Sequence, residues 1–598
     1  MHSVGIRYGV AVEDPKSHIA QFTIDVSGIS GDSVELVLPS WIPGSYHIVN
    51  PARQVIELTA TSAPGGASLQ VERRDKARWR IHTAGNPQVH VRYSVYGRRP
   101  ETDGLDVTDE HLFVNAGRDL PYVEGRKEEP VEVAVHVADD WQVITELREV
   151  GKHPFRYRAE NYDDLVDNPI DCGTPVLLET RPSGIPHRIV LCGHGGNYEA
   201  HRLEEDLGKI VEATIKLFGD SPITHYTFFY HLNDVSDGGL EHRFSTSIVL
   251  PRSTFKPESS YLRFLSVSAH EYFHLYNVKR IRPAILGPFD YTRENYTKLL
   301  WAMEGTTDYF TDLILRRAGL VSTPKFLDRL AESIRVYQSV PGRRIRSLEE
   351  SSLLSWIDLY EPDEDTINRS VSYYRKGALV SMCLDLEIRT RTENRFSLEH
   401  VFRYLWEEYG KRDRGIGEDE LLPIMNQVTG LDLGPFFSRF ISGTDEVDFD
   451  HFAHLAGLTF AAKPKSPDSD EEGEAGYLGV LFEEHDQRLR LTHVLSDGPG
   501  RRAGLSPRDE IVAMNGERVS HDGFAKLLRR YPPGTTVEVT LFRRGWLTAR
   551  TVTLGKSPPE KYSFAPLPEA TSLQKNVYEA WTGTRWEPPK APGNETAG

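Results

Sequence analysis

The sequence of 598 residues has few cysteines, no long apolar run and no excess of positive charge. Its three cysteines, Cys172, Cys192 and Cys383, lie far apart without C-x-x-C spacing, so neither a thiolate zinc site nor a disulfide framework is implied. No apolar run reaches the roughly 18 residues of a membrane span. The net charge of −17 argues against nonspecific nucleic-acid binding, which needs basic surface.

The N-terminal residues 1–8 also lack the basic segment and apolar core of a signal peptide. We therefore expect a cytoplasmic protein with reduced thiols and without membrane association. Charged residues make up 26% and hydrophobic residues 39%, which is typical of globular proteins, and the length of 598 residues predicts three or four domains. The sequence does not indicate the oligomeric state.

What the sequence does contain is an H-E-x-x-H motif at residues 270–274, inside a helical pattern from Phe264 to Val278 that has no Gly or Pro. Residues four apart lie on the same face of a helix, so His270 and His274 can bind one Zn²⁺. Glu271 borders the same site, where a carboxylate can take a proton from a zinc-activated water. The motif alone is equally compatible with a surface helix that carries two unrelated histidines.

A catalytic zinc needs a third protein ligand, and the following helical pattern, Leu299 to Ala318, offers one. Glu304 is the carboxylate within the apolar half of this pattern. Asp308 lies one turn later and is placed to accept the free N–H of a ligating histidine. The alternative is that both acids belong to a solvated helix face. Glu294 is a rival ligand, although its polar surroundings are typical of a loop.

Two further segments carry candidate site residues. Tyr374 opens another helical pattern, where its phenol could stabilise an oxyanion, although an ordinary core tyrosine fits equally well. Gly238 and Gly239 follow a strand pattern and would let a substrate backbone come close. Glu241 would place a carboxylate at the end of the cleft, suited to a free α-ammonium, although a solvated turn carboxylate is equally compatible.

Together these segments resemble the gluzincin peptidases, most closely the M61 family of glycyl aminopeptidase-like enzymes. In the related M1 aminopeptidases the glycine-containing segment is Gly-x-Met-Glu-Asn, whereas here it ends Leu-Glu-His, and the spacing from the second histidine to Glu304 is longer than in M1. Residues 41–46 also look like the M61 pattern, either reaching the cleft or forming a Pro-Gly turn, which we favour slightly. The motifs that carry the resemblance are His270-Glu271-x-x-His274, Trp301-x-x-Glu304-Gly305, Tyr374-Arg375-Lys376-Gly377 and Gly238-Gly239-Leu240-Glu241.

The resemblance implies a zinc aminopeptidase that removes small N-terminal residues, Gly or Ala, from peptides. One Zn²⁺ per chain would be bound by His270, His274 and Glu304, with Glu271 as general base and Tyr374 as oxyanion donor. Gly238, Gly239 and Glu241 would bind substrate. Two alternatives stay open: a zinc endopeptidase whose C-terminal domain recruits chains, and a non-catalytic peptide-binding scaffold.

The expected architecture is a multidomain α+β chain with five parts. These are an N-terminal β-rich domain at 1–175, a mainly α-helical, thermolysin-like catalytic domain at 176–460, an acidic linker at 461–475, a PDZ domain at 476–556 and an extended tail at 557–598. The PDZ assignment is a resemblance to bacterial domains of that kind, in which Tyr477, Leu478, Gly479 and Val480 match the carboxylate-binding loop. Such a loop can capture a peptide C-terminus, although an occluded groove is the alternative.

Overall fold

The computed structural model describes residues 4–152, 154–463 and 475–589. The chain forms two compact units, each assembled from separate stretches of sequence. The first unit comprises Met1–Thr297, Phe310–Leu320 and Phe402–Glu418, and the second comprises Lys298–Tyr309, Val321–Val401 and Asp419–Gly598. The described residues contain no helix with the length and apolar character that crossing a bilayer requires. The three cysteines are all buried and free.

An eight-stranded sheet dominates the N-terminal part of the first unit. Its neighbours are antiparallel except for one parallel pair, Ile6–Ala11 beside Val131–His136. The alternating pattern that predicted strands there is confirmed, because every second residue from Ile19 to Ser27 is buried. In spatial order the strands are Arg148–Lys152, Phe155–Ala159, Val131–His136, Ile6–Ala11, Ile19–Ser27, Gln88–Tyr96, Val55–Thr61 and Ser68–Leu69.

Two smaller four-stranded sheets complete this β-rich region. Apolar side chains from both, including Leu36, Val37 and Leu112, join one core with the eight-stranded sheet. One sheet has the order Gln142–Ile144, Ile170–Gly173, His111–Val114 and Asp106–Val107, and the other has Tyr122–Val123, Ser33–Val37, Arg78–His82 and Val71–Arg73.

A five-stranded sheet carries the two long helices of the first unit, Ala200–Phe218 and Glu258–His274. Its three central strands are parallel, and every residue of Tyr226–Leu232 is buried, as expected for a strand covered on both faces. The strands in order are Val176–Thr180, His187–Cys192, Tyr226–Leu232, Ser245–Leu250 and Gly238–Glu241. The helices of this unit are Ala116–Asp119, Tyr162–Val166, Ala200–Phe218 and Glu258–His274, while Thr306–Arg317 and Leu398–Glu408 contribute residues to both units.

The second unit is mainly helical up to residue 455, which confirms the periodicity predicted for this region. Its helices are Thr323–Gln338, Leu348–Leu353, Ser355–Asp358, Thr366–Arg369, Tyr373–Arg391, Leu421–Thr429, Gly434–Phe440 and Phe449–Leu455. Short 3-10 turns among the residues that the structure describes are Pro15–Ser17, Pro51–Gln54, Pro182–Gly184, Pro341–Arg344 and Gly410–Arg412.

A β-module with its own apolar core follows in the second unit. Its sheet consists of Val480–His485, Arg488–Val494, Glu510–Met514, Thr536–Arg543 and Trp546–Thr553, with Glu517–Arg518 beside the third of these strands, and its helices are Pro499–Arg502 and His521–Arg529. Two short strand pairs flank it: Leu458–Lys463 with Lys561–Pro566, and Gly476–Tyr477 with Gly555–Lys556.

The prediction of an extended C-terminal tail is wrong for the described residues. Ser572–Thr582 is a helix whose start is fixed by a capping box, in which Thr571 and Gln574 satisfy each other's backbone N–H groups. Its apolar side buries Trp581, whose indole N–H donates to the hydroxyl of Tyr309 at 3.1 Å. The predicted linker falls largely on residues 464–474, outside the described residues, whereas Ala461, Ala462 and Lys463 extend a strand.

Candidate active site

The H-E-x-x-H motif ends the helix Glu258–His274, which we call the motif helix. Its two histidines lie one turn apart, with ring centroids 4.5 Å apart. Their Nε2 atoms approach to 2.9 Å, so both rings direct the same nitrogen to one point. Two imidazole nitrogens converging in this way form the beginning of a metal site.

The environment of His274 fixes which of its nitrogens carries the proton. His274 Nδ1 lies 2.6 Å from the backbone oxygen of Asn277, at the turn that follows the helix. A carbonyl only accepts hydrogen bonds, so Nδ1 carries the proton and the Nε2 of the neutral ring presents its lone pair. Backbone carbonyls orient metal-ligating histidines in this manner, so the pair fits a divalent cation.

Glu271 packs directly against the backbone of Gly239. A Cβ atom on Gly239 would lie 2.1 Å from Glu271 Oε1, which is far inside van der Waals contact. The hydroxyl of Thr246 lies 3.5 Å from the other carboxylate oxygen. Glu271 is only 4% exposed. The second glycine of the Gly-Gly pair therefore has a structural reason: it makes room for the carboxylate of the motif.

Two buried phenols lie within electrostatic range of Glu271. Burial raises the pKa values of the Tyr226 and Tyr230 phenols, and the negative charge of Glu271 adds to both shifts. Both phenols therefore remain neutral near pH 7. A carboxylate among neutral phenols, at the boundary of a histidine pair, is suited to accept and return a proton.

Glu241 lies at the end of Gly238–Glu241, which is an edge strand and not the solvated turn that we weighed as an alternative. The strand pairs antiparallel with Ser245–Leu250. It brings one carboxylate oxygen of Glu241, one of Glu271 and one ring nitrogen of His274 within 4.8 Å of one another. Glu241 is 5% exposed, so this acid faces the histidine pair from inside the protein.

The N-terminal Trp41–Tyr46 segment reaches the same place. Ser45 N–H donates to Ile42 O, which makes the tight turn we favoured. The turn also touches the site, because a Cβ on Gly44 would lie 2.9 Å from Glu241 Oε2. Both interpretations of this segment therefore hold, and Gly44 keeps space beside the Glu241 carboxylate.

Glu304 lies in Trp301–Gly305 in the second unit, a π-helical turn that we call the Glu304 segment. It continues into the helix Thr306–Arg317, so the predicted helix is present with one irregular turn at its start. Wide turns of this kind are frequent at functional sites. Glu304 is 2% exposed and Asp308 is partly buried, which contradicts a solvated face for Glu304. Glu294 lies in a loop of the first unit.

The glycines in Glu304-Gly305 and Lys376-Gly377 meet each other. A Cβ on Gly305 would lie 2.6 Å from the Cα of Gly377, and a Cβ on Gly377 would lie 2.9 Å from the backbone oxygen of Trp301. Any larger residue would push apart the Glu304 segment and the helix Tyr373–Arg391, which we call the tyrosine helix. The two sequence motifs are therefore halves of one helix contact.

Tyr374 lies in the first turn of the tyrosine helix, whose start Ser372 caps by accepting from the N–H of Arg375. Burial raises the pKa of the Tyr374 phenol well above its ordinary value, and the negative charge of Glu304 contributes. The Tyr374 hydroxyl lies 3.1 Å from that of Tyr360. Tyr374 therefore stays a neutral hydrogen-bond donor near Glu304.

Sequence reasoning missed Tyr360 and the Asn277 carbonyl. Tyr360 lies in a polar stretch between helices, where no periodicity draws attention to it. A backbone acceptor such as Asn277 O has no sequence signal at all.

In the β-module, the predicted loop Tyr477–Val480 sits where an edge strand begins. Val480–His485 pairs on one side with Arg488–Val494 and is the outer strand of its sheet. The backbone oxygens of Leu478 and Gly479 accept from Gly500 N–H at 2.7 Å and Leu495 N–H at 2.9 Å, which fixes the loop. Phe482 lies edge-on to Phe524 of the neighbouring helix, with centroids 5.2 Å apart. A strand edge beside a helix is the groove in which peptides bind by strand addition.

Comparison with known families gives three matches. The model for the peptidase M61 N-terminal domain matches residues 7–174, that for M61 glycyl aminopeptidase matches residues 263–380, and that for the PDZ domain matches residues 476–554. No curated protein matched the chain. The expected fold class and the C-terminal PDZ domain are thereby confirmed.

Among solved structures, an aminopeptidase N family protein from Idiomarina loihiensis is 30% identical, with a TM-score of 0.88. The alignment covers 96% of this chain and all of that one (100%). An M1 zinc metallopeptidase from Deinococcus radiodurans is 12% identical, with a TM-score of 0.46, over 74% of this chain and 95% of that one. The assignment to a family draws on the first of these and on the family matches.

Proposed function

The chain belongs to the M61 family of peptidases, and on that premise we propose that it is a zinc-dependent aminopeptidase. The observation that carries the proposal is the convergence of Glu241, Glu271 and His274 within 4.8 Å, with His270, the first histidine of the motif, beside His274. One acid adjoins the histidine pair on its own helix, and the other comes from a strand edge. The two acids can therefore have different tasks.

We assign Zn²⁺ to His270 and His274, with Glu304 as the third ligand. The tautomer of His274 and the burial of Glu304 support this donor set. The M61 family match from 263 to 380 spans all three residues. When bound, the ion would supply Lewis-acid polarisation of the peptide carbonyl and an acidified water. The carbonyl of Asn277 accepts from His274, and Asp308 would be the acceptor for the free N–H of the other ligating histidine, His270.

Glu271 would act as the general base and would then return the proton to the leaving amine. Its contact with Gly239 limits the positions that the carboxylate can take, which favours a fixed direction of proton transfer. Tyr374 would donate to the oxyanion, because its raised pKa keeps the phenol protonated. Gly238 and Gly239 would lie along the substrate backbone.

Glu241 would bind the α-ammonium of the substrate and so select the first peptide bond. A buried carboxylate recognises an ammonium by a charge-assisted hydrogen bond, whereas an acetylated amine offers no charge. Gly44 lies against Glu241 and keeps space beside its carboxylate. Small N-terminal residues, Gly or Ala, are the proposed substrates, in line with the match to the M61 glycyl aminopeptidase model.

The PDZ groove would bind a peptide C-terminus, with the loop at Tyr477, Leu478, Gly479 and Val480 receiving the carboxylate. An open strand edge at Val480–His485 supports this partner. The groove would recruit peptides, while the amine anchor at Glu241 would decide which bond is cut.

The test compares Gly-, Ala- and Leu-p-nitroanilide with their N-acetylated forms, with metal content measured on the same samples. We expect hydrolysis of the free-amine substrates only. For Glu241→Gln we expect kcat/KM to fall about 10- to 100-fold with zinc retained, because a charged hydrogen bond contributes about 1.5–3 kcal/mol. Equal hydrolysis of acetylated substrates would indicate an endopeptidase, and a zinc-loaded protein without turnover would indicate a binding scaffold.

Two further variants separate the rival zinc ligands. Glu304→Gln should lose zinc, because a neutral amide oxygen is a much weaker ligand than a carboxylate. Glu294→Gln is the matched control and should retain both zinc and activity. If Glu294→Gln lost zinc and Glu304→Gln retained it, the third ligand would be Glu294 in the loop.

A further inference from the structure

A second group of metal-binding side chains lies in the first unit, apart from the motif helix. His111, Asp171, Cys192 and His231, which we call the four-strand cluster, each offer one donor atom, and these atoms all lie within 4.8 Å of one another. They come from four strands: His111–Val114, Ile170–Gly173, His187–Cys192 and Tyr226–Leu232. None of them has a task in the proposed peptidase mechanism.

Two sheets supply the donors in pairs. Cys192 and His231 are direct partners on neighbouring parallel strands, so their side chains point to the same face. Both lie at or next to the carboxyl ends of their strands, where α/β sheets usually hold their ligands. His111 and Asp171 lie on two adjacent strands of a four-stranded sheet in the β-rich region.

Two of the three distances from Asp171 to the other donors lie close to those between ligands of a tetrahedral zinc, and the third is shorter. Asp171 Oδ2 lies 3.2 Å from His111 Nε2 and 2.7 Å from His231 Nε2, and Asp171 Oδ1 lies 3.4 Å from Cys192 Sγ. Ligands held at 2.0–2.3 Å around a tetrahedral zinc are separated by roughly 3.3–3.7 Å. The 2.7 Å distance between His231 and Asp171 would have to lengthen for both to bind such an ion.

We propose that the four-strand cluster is a second metal site, which binds one Zn²⁺ as a structural ion. Imidazole and thiolate donors select zinc over magnesium or calcium, which prefer oxygen. Four protein ligands leave no open position for water, so the site is closed and structural. The ion would join the β-rich region to the five-stranded sheet.

The charges of the cluster suit a divalent ion. A thiolate and a carboxylate together carry two negative charges, so two neutral imidazoles and Zn²⁺ make a neutral buried group. On binding, the Cys192 sulfur would form a bond to the ion and release its proton to solvent, as would any protonated imidazole. No oxidant or reductant is needed for this step.

Two surrounding features support an ion at this position. His111 Nδ1 lies 3.6 Å from Asp106 Oδ2, so a buried carboxylate stands behind the ring nitrogen that faces away from the cluster. Carboxylates in that position orient metal-ligating histidines. In addition, His111, Cys192 and His231 line a cavity of about 510 Å³, which gives an ion a path from solvent.

The competing explanation is a hydrogen-bonded cluster without metal, in which Asp171 accepts from both histidines and from the thiol. Burial alone would raise the pKa of Asp171, but His111 and His231 hold it well below its usual range. Such a cluster is also neutral when one histidine is protonated. The two explanations differ in metal content, since a hydrogen-bonded cluster holds no ion.

The experiment measures metal per chain in the untagged, full-length protein after equilibration with a zinc buffer. We expect two equivalents in the parent chain and in the matched control Cys383→Ser, which changes a buried cysteine of the second unit. Cys192→Ser and His231→Gln should each lose one equivalent, and His274→Gln should retain one. A parent chain with one equivalent that survives Cys192→Ser would overturn the proposal.

Cobalt substitution gives a second readout that needs no variant. Within the described part of the chain, the four-strand cluster is the one donor group that contains sulfur. Filling it with Co²⁺ should produce a thiolate-to-cobalt charge-transfer band in the near ultraviolet, whereas the motif helix should give none. Absence of this band at two bound equivalents would place the second ion elsewhere. Because neither readout uses turnover, failure here is distinct from failure of the peptidase proposal.

Discussion

The two donor clusters of the first unit are built in opposite ways. At the motif helix, two histidines are brought together by a single helical turn, and a backbone carbonyl orients one of them. In the four-strand cluster, each donor comes from a different strand, and two sheets must pack correctly before the donors meet. The histidine pair on one helix keeps its geometry when neighbouring elements move. The four-strand cluster forms only when both sheets are packed together, and an ion bound there can stabilise that packing.

This difference suits different tasks. The motif helix supplies the two histidines, and an acid from another element, Glu241, lies close to His274. A catalytic zinc site needs an open coordination position for water, whereas a structural zinc site does not. If the two sites have these separate tasks, a variant that lacks peptidase activity should keep its metal content. A variant with a weakened four-strand cluster should keep its peptidase activity.

The largest expected effect comes from Glu271→Gln. The amide has nearly the same shape and keeps the contact with Gly239, but it cannot accept the proton. General-base catalysis contributes about 10²–10⁴-fold, so we expect kcat to fall by about 10³-fold or more while both zinc equivalents remain. Stopped assays with metal analysis on the same sample measure both quantities. Appreciable turnover in this variant would mean that Glu271 is not the general base.

The next effect tests the contact that holds Glu304 beside Tyr374. In Gly377→Ala the new methyl group would lie 2.9 Å from the Trp301 backbone oxygen, so the tyrosine helix and the Glu304 segment must separate. Overpacking of this kind costs about 1–3 kcal/mol, and we expect lower thermal stability together with weaker zinc binding at the motif helix. The four-strand cluster should keep its ion.

Gly208→Ala provides the matched control for that prediction. Gly208 also lies inside a helix, Ala200–Phe218, but a Cβ there would meet its nearest neighbour, Thr180 Oγ1, at 3.4 Å. Since alanine favours helices over glycine by about 1 kcal/mol, this variant should be neutral or slightly more stable. Equal destabilisation by both substitutions would mean that the Gly305–Gly377 contact has no special importance.

The same contrast explains what could be predicted from the sequence. Histidines four apart in a helical pattern indicate a joint task directly, and comparison of the motifs with a known family indicates candidate roles for Glu304 and Tyr374. Strand alternation predicted most of the β-rich region because period-two burial depends on neighbouring residues alone. Each of these signals is local in the chain.

The four-strand cluster has no local signal. The three residues that contact Asp171 lie 21 to 60 positions away from it in the sequence. The absence of C-x-x-C spacing led us to expect no thiolate zinc site. The paired position of Cys192 and His231 follows only from strand register. The C-terminal helix was missed for another reason: its capping box and apolar face lie in a Pro-rich region that we interpreted as extended.

The smallest expected effect concerns the residue behind a ligand. The partner of His274 is a backbone carbonyl and cannot be changed by substitution, whereas the partner of His111 is the side chain of Asp106. Asp106→Asn should weaken zinc at the four-strand cluster about 10-fold, because loss of an orienting carboxylate costs about 10- to 100-fold in affinity. Competition with a chromophoric chelator measures this change.

Asp109→Asn is the control, since Asp109 lines the same cavity, is exposed and belongs to no donor group. It removes the same charge and should leave zinc affinity unchanged. Peptidase activity should be equal in both variants, because neither acid adjoins the motif helix. If Asp106→Asn and Asp109→Asn weaken zinc binding to the same extent, the cause is the loss of a negative charge from the cavity and not the loss of a partner for His111. A selective effect of Asp106 would instead show that the four-strand cluster orients its histidine through a side chain, as the motif helix does through its backbone.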